Sequence, residues 1–457
     1  MILLLACTRG DVQPVDSGGP ENEVLPKGFE SGGIVPCEAP VEPGWRRADS
    51  GFEPGPEATR EWESGALVHD LDGDGDLDLM VPFLQPGNTP RTDLYWNQDG
   101  WVREELLGAG ALGLADTDGD GDLEVTFTAP LQVWDEGQLE RLDLEVRARD
   151  VAWMDLDEDG QPELILGTPD GQPDQVLRSD LTPWFLLEDS NAFDLVPFDA
   201  DGDGDEDLYV VGDLGLEYGP NRLYVREGAS LLDVGSDANV VVDGMSADPG
   251  DYDNDGDEDL LLANAAHIQI LQNDSGWVDV TAALNADPLT GAPDMAWNAV
   301  WLDADNDGLL DILIARGDLL PNEPFDGTLV LERQSEGFTP VHLGLGSYRS
   351  VVPADFNGDG VLDWLATQAT AAPELWLSDG CTANGWLMVE APVGSVVEVG
   401  EQRRVVRTDS GQGAAGPPRV HIGLGQQDVV DVRILLPDGT YSEGRRVQAR
   451  QALRYAE

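Results

Sequence analysis

Seven clusters of acidic residues with one internal spacing carry the chemistry of this sequence. Each follows Asp-x-Asp/Asn-x-Asp-Gly-x-x-Asp/Glu, gathering carboxylates at positions 1, 3, 5 and 9 around a turn-making Gly at position 6. The first offers Asp70, Asp72, Asp74 and Asp78, with the backbone carbonyl of Asp76 at position 7. The second offers Asp116, Asp118, Asp120, Glu124 and the carbonyl of Asp122; the third Asp155, Asp157, Asp159, Glu163 and the carbonyl of Gln161. The fourth has Asp199, Asp201, Asp203, Asp207 with Asp205, and the fifth Asp251, Asp253, Asp255, Asp259 with Asp257. Asp303, Asp305, Asp307, Asp311 and Leu309 form the sixth; Asp355, Asn357, Asp359, Asp363 and Val361 form the seventh. Oxygen donors converging on one point suit a hard cation. Calcium takes about six to eight oxygens at roughly 2.3–2.6 Å and tolerates bidentate carboxylates, whereas magnesium demands a smaller octahedron. Up to seven structural calcium ions are therefore expected. Asn357 leaves loop seven one charge short, so carboxylate count ranks it the weakest site.

Other chemistry is poorly provided for. The four His, at 69, 267, 342 and 421, fall in different repeats, which assembles neither a zinc site nor a Ser/His/Asp triad. His421 is read as ordering a turn. The paired carboxylates fit cation ligation, which occupies them and leaves none for acid–base work. No catalytic residue is therefore assigned. Arg9-Gly10-Asp11 and Arg316-Gly317-Asp318 are Arg-Gly-Asp tripeptides, and the second is read as a strand-end turn.

The elements that hold these loops follow from their period. The loop starts are 46, 39, 44, 52, 52 and 52 residues apart, close to the ~40–50 residues of a four-stranded propeller blade. Each loop is entered by a short apolar run, such as Ala152-Trp153-Met154, and left by a β-favouring one, such as Leu208-Tyr209-Val210-Val211. A third run follows a Gly/Pro turn, and a fourth opens with Gly and an aromatic, as in Gly100-Trp101 and Gly276-Trp277. The expected fold is all-β: a seven-bladed β-propeller followed by a small β-rich domain. Blade seven lacks its fourth strand before the sequence changes character at Cys381. Gly44-Trp45-Arg46-Arg47 repeats the Gly-aromatic opening, so residues 44–50 are expected to close the ring and cover its edges. A Cys37–Cys381 disulfide would staple that closure, contributing about 5 kcal/mol at most. The alternative is two free thiols.

These loops resemble the FG-GAP and VCBS repeats of integrin α-chain-like propellers, over residues of roughly 60–380. The resemblance implies calcium bound between the first two strands of a blade. Residues 384–457 hold nine Arg and nine acidic residues, so the negative charge belongs to what precedes them. Within them, Val420-His421-Ile422-Gly423-Leu424-Gly425, then Leu436-Pro437-Asp438-Gly439, is similar to the ASPIC/UnbV domain. That resemblance implies a propeller-associated domain of exported proteins. It departs from the family where Leu436 replaces the usual Trp.

Domain boundaries are placed at 1–7, 8–40, 41–381 and 384–457. Leu4-Leu5-Ala6-Cys7 resembles the end of a bacterial lipoprotein signal, with Cys7 as the lipidated residue, and residues 8–40 read as a flexible tether. Export as an outer-membrane lipoprotein or a secreted protein is expected, which also suits a disulfide. With a formal net charge of −64, direct binding to nucleic acid is excluded; a membrane is reached only through a lipid anchor. Hydrophobic residues make up 41% of the 457, enough for a sizeable core despite the charge.

The leading expectation is a non-catalytic, monomeric, calcium-binding scaffold that presents loops to a protein or glycan ligand. One alternative is a carbohydrate-active enzyme, against which Lys27 stands as the single Lys. The other is a lectin reading sugars through exposed Trp101 or Trp277.

Overall fold

The computed structural model describes residues 29–455 apart from short stretches, the longest being 53–64, 214–219, 236–243, 288–294 and 318–325. The apolar runs beside each acid loop become the two inner strands of a sheet. In the third repeat Asp150–Met154 and Glu163–Gly167 pair antiparallel, with Val151 opposite Leu166 and Trp153 opposite Leu164. Leu164, Ile165 and Leu166 are consecutive and all fully buried, because each sheet is packed on both faces by its neighbours.

Seven sheets of four strands follow one another along the chain. From blade two to blade seven the innermost strands meet in succession, Tyr348–Ala354 against Leu67–His69 closes the ring, and blade one meets Ala109–Ala115 of blade two through Asp78–Gln85. Large side chains fill the wedges between blades; Tyr252, Trp297, Trp301 and Ile312 form one such cluster between blades five and six.

Blade seven takes its outer strand from upstream. Trp45–Arg47 pairs with Glu374–Ser378, the Trp45 ring lies 5.0 Å from that of Trp364, and its indole N–H donates to the Leu362 carbonyl. Cys37 and Cys381 are disulfide-bonded beside this strand, their Cα atoms 5.8 Å apart. The cross-link spans a sequence separation of 344 residues. Cys381→Ser is therefore expected to lower stability by up to about 5 kcal/mol. Thermal melts with and without reductant test this, and an unchanged wild-type melting temperature in reductant would refute it.

From residue 385 the chain builds two further four-stranded sheets. Gly385–Glu390, Arg419–Gly425 and Gln451–Arg454 belong to one, and Val396–Val399, Gln402–Val405, Val429–Leu435 and Arg445–Gln448 make the other. Leu387, Val397, Ile422 and Ile434 form the core between them. The fourth strand of the first sheet is Glu30–Ile34, paired antiparallel with Gln451–Arg454, and Phe29 lies edge-on to Tyr455 at 5.7 Å. This corrects the tether expected over residues 8–40: Glu30–Ile34 is a strand, because the C-terminal strand offers it a free edge. Cys7 and the rest of the predicted signal and tether up to residue 28 lie outside the described residues.

Between Gln402–Val405 and Arg419–Gly425 the chain leaves its own domain and enters the hub of the ring. The Val68 N–H donates to the Ala415 carbonyl (2.9 Å), Ala415 N–H to Ala66 (3.0 Å), and Leu112 N–H to Gly413 (3.1 Å). Thr408 Oγ1 donates to the Leu114 carbonyl on the same blade-two strand, and from blade six Asn298 Nδ2 donates to the Ser410 carbonyl. Residues 407–416 thus plug the propeller. Five residues before their loops, blades three to seven carry polar Asp150, Asp194, Ser246, Asn298 and Ser350, while blades one and two carry Gly65 and Ala111. A Cβ on Gly65 would lie 2.3 Å from that of Ala414, so the plug packs where the hub is lined by the smallest residues.

Candidate metal centres

Each acid loop is shaped by its own carboxylates before any cation is considered. In loop one Asp70 accepts the N–H groups of Asp74 (3.1 Å) and Gly75 (2.9 Å), and Asp74 accepts that of Asp76 (2.9 Å). The same local bonds recur in loops three, six and seven. They wind the chain so tightly that positions 4 and 6 are left-handed in all seven loops, with φ of 82–102° at the Gly of position 6. Position 4 is Gly, Asn or Glu, residues among which Gly and Asn tolerate that conformation best.

The position 9 acid ties the loop to the blade. Asp78 accepts Leu71 N–H (3.0 Å) from the loop and Asn97 N–H (2.8 Å) from the third strand, and Asp207, Asp259 and Asp363 make the equivalent pair. Each oxygen retains a lone pair for a cation. Donor atoms of Asp70, Asp72 and Asp78 lie within 4.8 Å of one another, as do those of Asp116, Asp118 and Glu124 and of Asp155, Asp157 and Glu163. So do those of Asp199, Asp201 and Asp203 and of Asp251, Asp253 and Asp255.

Metal-free, the most buried of the ligand carboxyls resist ionisation. Burial pushes Asp259 and Asp311 up to about 8 and Asp363 to about 7; Asp303 rises to about 7 through burial and then the charges of Asp307 and Asp305. In loop five Asp251 Oδ2 and Asp253 Oδ1 are buried with no hydrogen-bond donor among the described residues. Orphaned anionic oxygens facing a shared centre are what a divalent cation satisfies, so the residues present fit one.

Loops one to four leave Asp72, Asp74, Asp118, Asp120, Asp201 and Asp203 exposed, whereas in loop six Asp303, Asn306 and Gly308 are buried. The difference is the C-terminal domain. Arg404 donates to the Asp251 carbonyl (3.1 Å) and Asn254 Oδ1 (3.0 Å), and Arg403 to the Gly256 carbonyl (2.9 Å). Arg407 pairs bidentately with Glu258, at position 8 of loop five. On loop six, Gly425 N–H donates to the Asn306 carbonyl (2.9 Å) and Asn384 Nδ2 to that of Asp305 (2.9 Å). On loop seven, His421 Nε2 lies 3.1 Å from the Gly360 carbonyl oxygen and the Trp386 ring covers Gly360. The approach is close enough that a Cβ on Gly423 would meet Asp303 Oδ2 at 1.9 Å. His421 is thus a docking residue, half-buried, and desolvation in that contact holds it down to about 4.

Comparison with known proteins matches two stretches of the chain. Residues 251–314 match the FG-GAP-like repeat model, and residues 389–457 match the ASPIC and UnbV model. The chain carries an FG-GAP-like repeat and an ASPIC/UnbV domain. The matched repeat is the blade-five loop through to the second strand of blade six, and the ASPIC/UnbV match covers the domain that docks on loops five to seven. No curated protein matches the sequence. The chain is similar in structure to BBS1N, solved in complex with ARL6DN, at 11% identity and a TM-score of 0.48 over 74% of this chain and 97% of that one. It is similar to an Agrocybe aegerita lectin that recognises non-reducing terminal N-acetylglucosamine, at 12% identity and a TM-score of 0.39, over 86% and 99% of the two chains. It is also similar to the V. cholerae biofilm matrix protein Bap1, at 14% identity and a TM-score of 0.32, over 91% and 85%.

Two constellations of the structure went unread in the sequence. One is the belt of bonds between innermost strands: Asp150 accepts Leu195 N–H (2.7 Å), Asp194 accepts Ala247 (2.9 Å), and Asn298 accepts Val351 (3.1 Å). Their signal was an in-phase polar residue five places before a loop. The other is the ASPIC/UnbV plug, whose signal was the small-residue stretch Gly411 to Gly416 ahead of Pro417-Pro418.

Proposed function

We propose that this protein is an exported, non-catalytic, calcium-binding propeller scaffold that presents its surface loops to a protein or glycan ligand. The observation that carries the reading is the repeated loop geometry, in which carboxylates already held by the backbone keep free lone pairs on a common centre. Extracellular modules of this type bind calcium at about 10⁻⁴ to 10⁻³ M, so millimolar calcium would fill them. Function on such rigid scaffolds resides in loops.

Residues that a lectin or an enzyme would need are otherwise engaged. Trp101 packs 5.1 Å from Phe52, and Trp277, on the outer strand of blade five, packs 6.1 Å from Phe198 of blade four. The hub carboxyls Asp194 and Asp409 are pushed well above the usual range by burial and by their acidic neighbours, which suits a neutral packing role. Trp277→Ala is accordingly expected to lower stability by about 2–4 kcal/mol without any specific effect on sugar binding. Melting curves beside a glycan array check this, and loss of sugar binding at unchanged stability would favour a lectin. The function itself is tested by counting calcium ions per chain and by a surface-protein and glycan binding screen run in calcium and in chelator. Turnover of any polysaccharide would overturn it.

A further inference from the structure

The domain seated on the ring touches the acid loops in a particular way. Its donors take the outward carbonyl and amide oxygens of Asp251, Asn254 and Gly256 in loop five, Asp305 and Asn306 in loop six, and Gly360 in loop seven. These oxygens belong to the same tight turns whose carboxylates form the candidate cation centres. Their positions depend on the turn staying wound. Three or four carboxylates gathered in one turn repel as they ionise when no cation is present, which opens the turn and scatters the acceptors. Blades one and two meet the domain differently, through the plug at their innermost strands, and blade four meets it where Arg407 Nε donates to the Pro197 carbonyl (3.3 Å), ahead of its loop.

We propose that filling of loops five, six and seven and seating of the C-terminal domain with its plug are one coupled equilibrium, while loops one to four fill independently. The inference rests on the calcium reading above and adds a regulation to it: the ring opens its hub when calcium falls. Coupling is reciprocal, so a seated domain also tightens those three sites and an unseated one loosens them. The charge asymmetry of the chain fits this arrangement. Arg403, Arg404 and Arg407 project from a domain that is neutral overall onto the acidic loops five and six, where Glu258 meets Arg407 and Asp251 and Asp303 face Arg404.

The test uses the whole chain and calcium alone. Bound calcium per chain is measured across a free-calcium titration, with hydrogen exchange of residues 407–416 followed in the same samples. In the native protein, protection of the plug should rise with the midpoint of a class of three ions. The double variant R403M/R404M should shift that class to at least about fivefold higher calcium and leave the others unmoved. Asp255→Asn in loop five should expose the plug, whereas Asp118→Asn in loop two should lose an ion and leave the plug protected. Plug protection that is the same with and without calcium, while ions still bind, would overturn the coupling and spare the calcium reading. Absence of bound calcium would overturn both. Titration of the native protein alone separates these outcomes, whether or not the variants fold.

Discussion

Removing calcium should lower the melting temperature of this protein by roughly 10–20 °C. Sites with a dissociation constant near 10⁻⁴ M each contribute about 1–2 kcal/mol in millimolar calcium, and several together exceed the margin of an ordinary domain. For a chain of this size each kcal/mol moves the midpoint by about 1–2 °C. The loss should depend on pH with a definite sign. In metal-free protein Asp259 and Asp311 are raised to about 8 by burial, from an ordinary value of 3.8. A carboxyl raised in the folded state destabilises it progressively as pH climbs from the unfolded value through the folded one. Chelated protein should therefore melt higher at pH 5.5 than at pH 8. Calcium-loaded protein should not follow it, since the ion requires these groups ionised. Calorimetry in calcium and in chelator at both pH values decides the matter. A melting temperature indifferent to calcium at pH 8 would show that the loops are held by their hydrogen bonds alone.

The second large effect is expected at Arg407. Its side chain is 15% exposed and that of its bidentate partner Glu258 8% exposed. Arg407→Met leaves Glu258 charged and unpaired in a site shut off from water, which costs about 3–5 kcal/mol. Adding Glu258→Gln removes the stranded charge and should recover most of that loss. Denaturant unfolding of the two single variants and the double variant closes the cycle. If the losses simply add, the pair does not hold the domain in place.

How much of this was legible depended on how local the signal was. The acid loops, their Gly at position 6 and the apolar runs beside them are short-range features, and their period places seven sheets. Trp45 could be assigned to blade seven because it repeats a Gly-aromatic opening present elsewhere. Glu30–Ile34 reads as tether in the sequence because Gly32 and Gly33 imitate a linker, while the strand's partner lies more than 400 residues away, at Gln451–Arg454. Arg407 looked like one of nine Arg in a neutral segment, since Glu258 is 149 residues distant. The plug was unread for a similar reason: Gly413, Ala414 and Ala415 fit the hub only because Gly65 and Ala111 leave room, a complementarity between segments about 300 residues or more apart in sequence.

One consequence concerns biosynthesis. Glu30–Ile34 and Trp45–Arg47 leave the ribosome long before their partners at Gln451–Arg454 and Glu374–Ser378. Nascent chains must hold two early strands unpaired until those partners appear, so neither the ring nor its companion can mature one after the other as synthesis proceeds. Translation halted just short of Gln451 would strand the first of them with nowhere to pair.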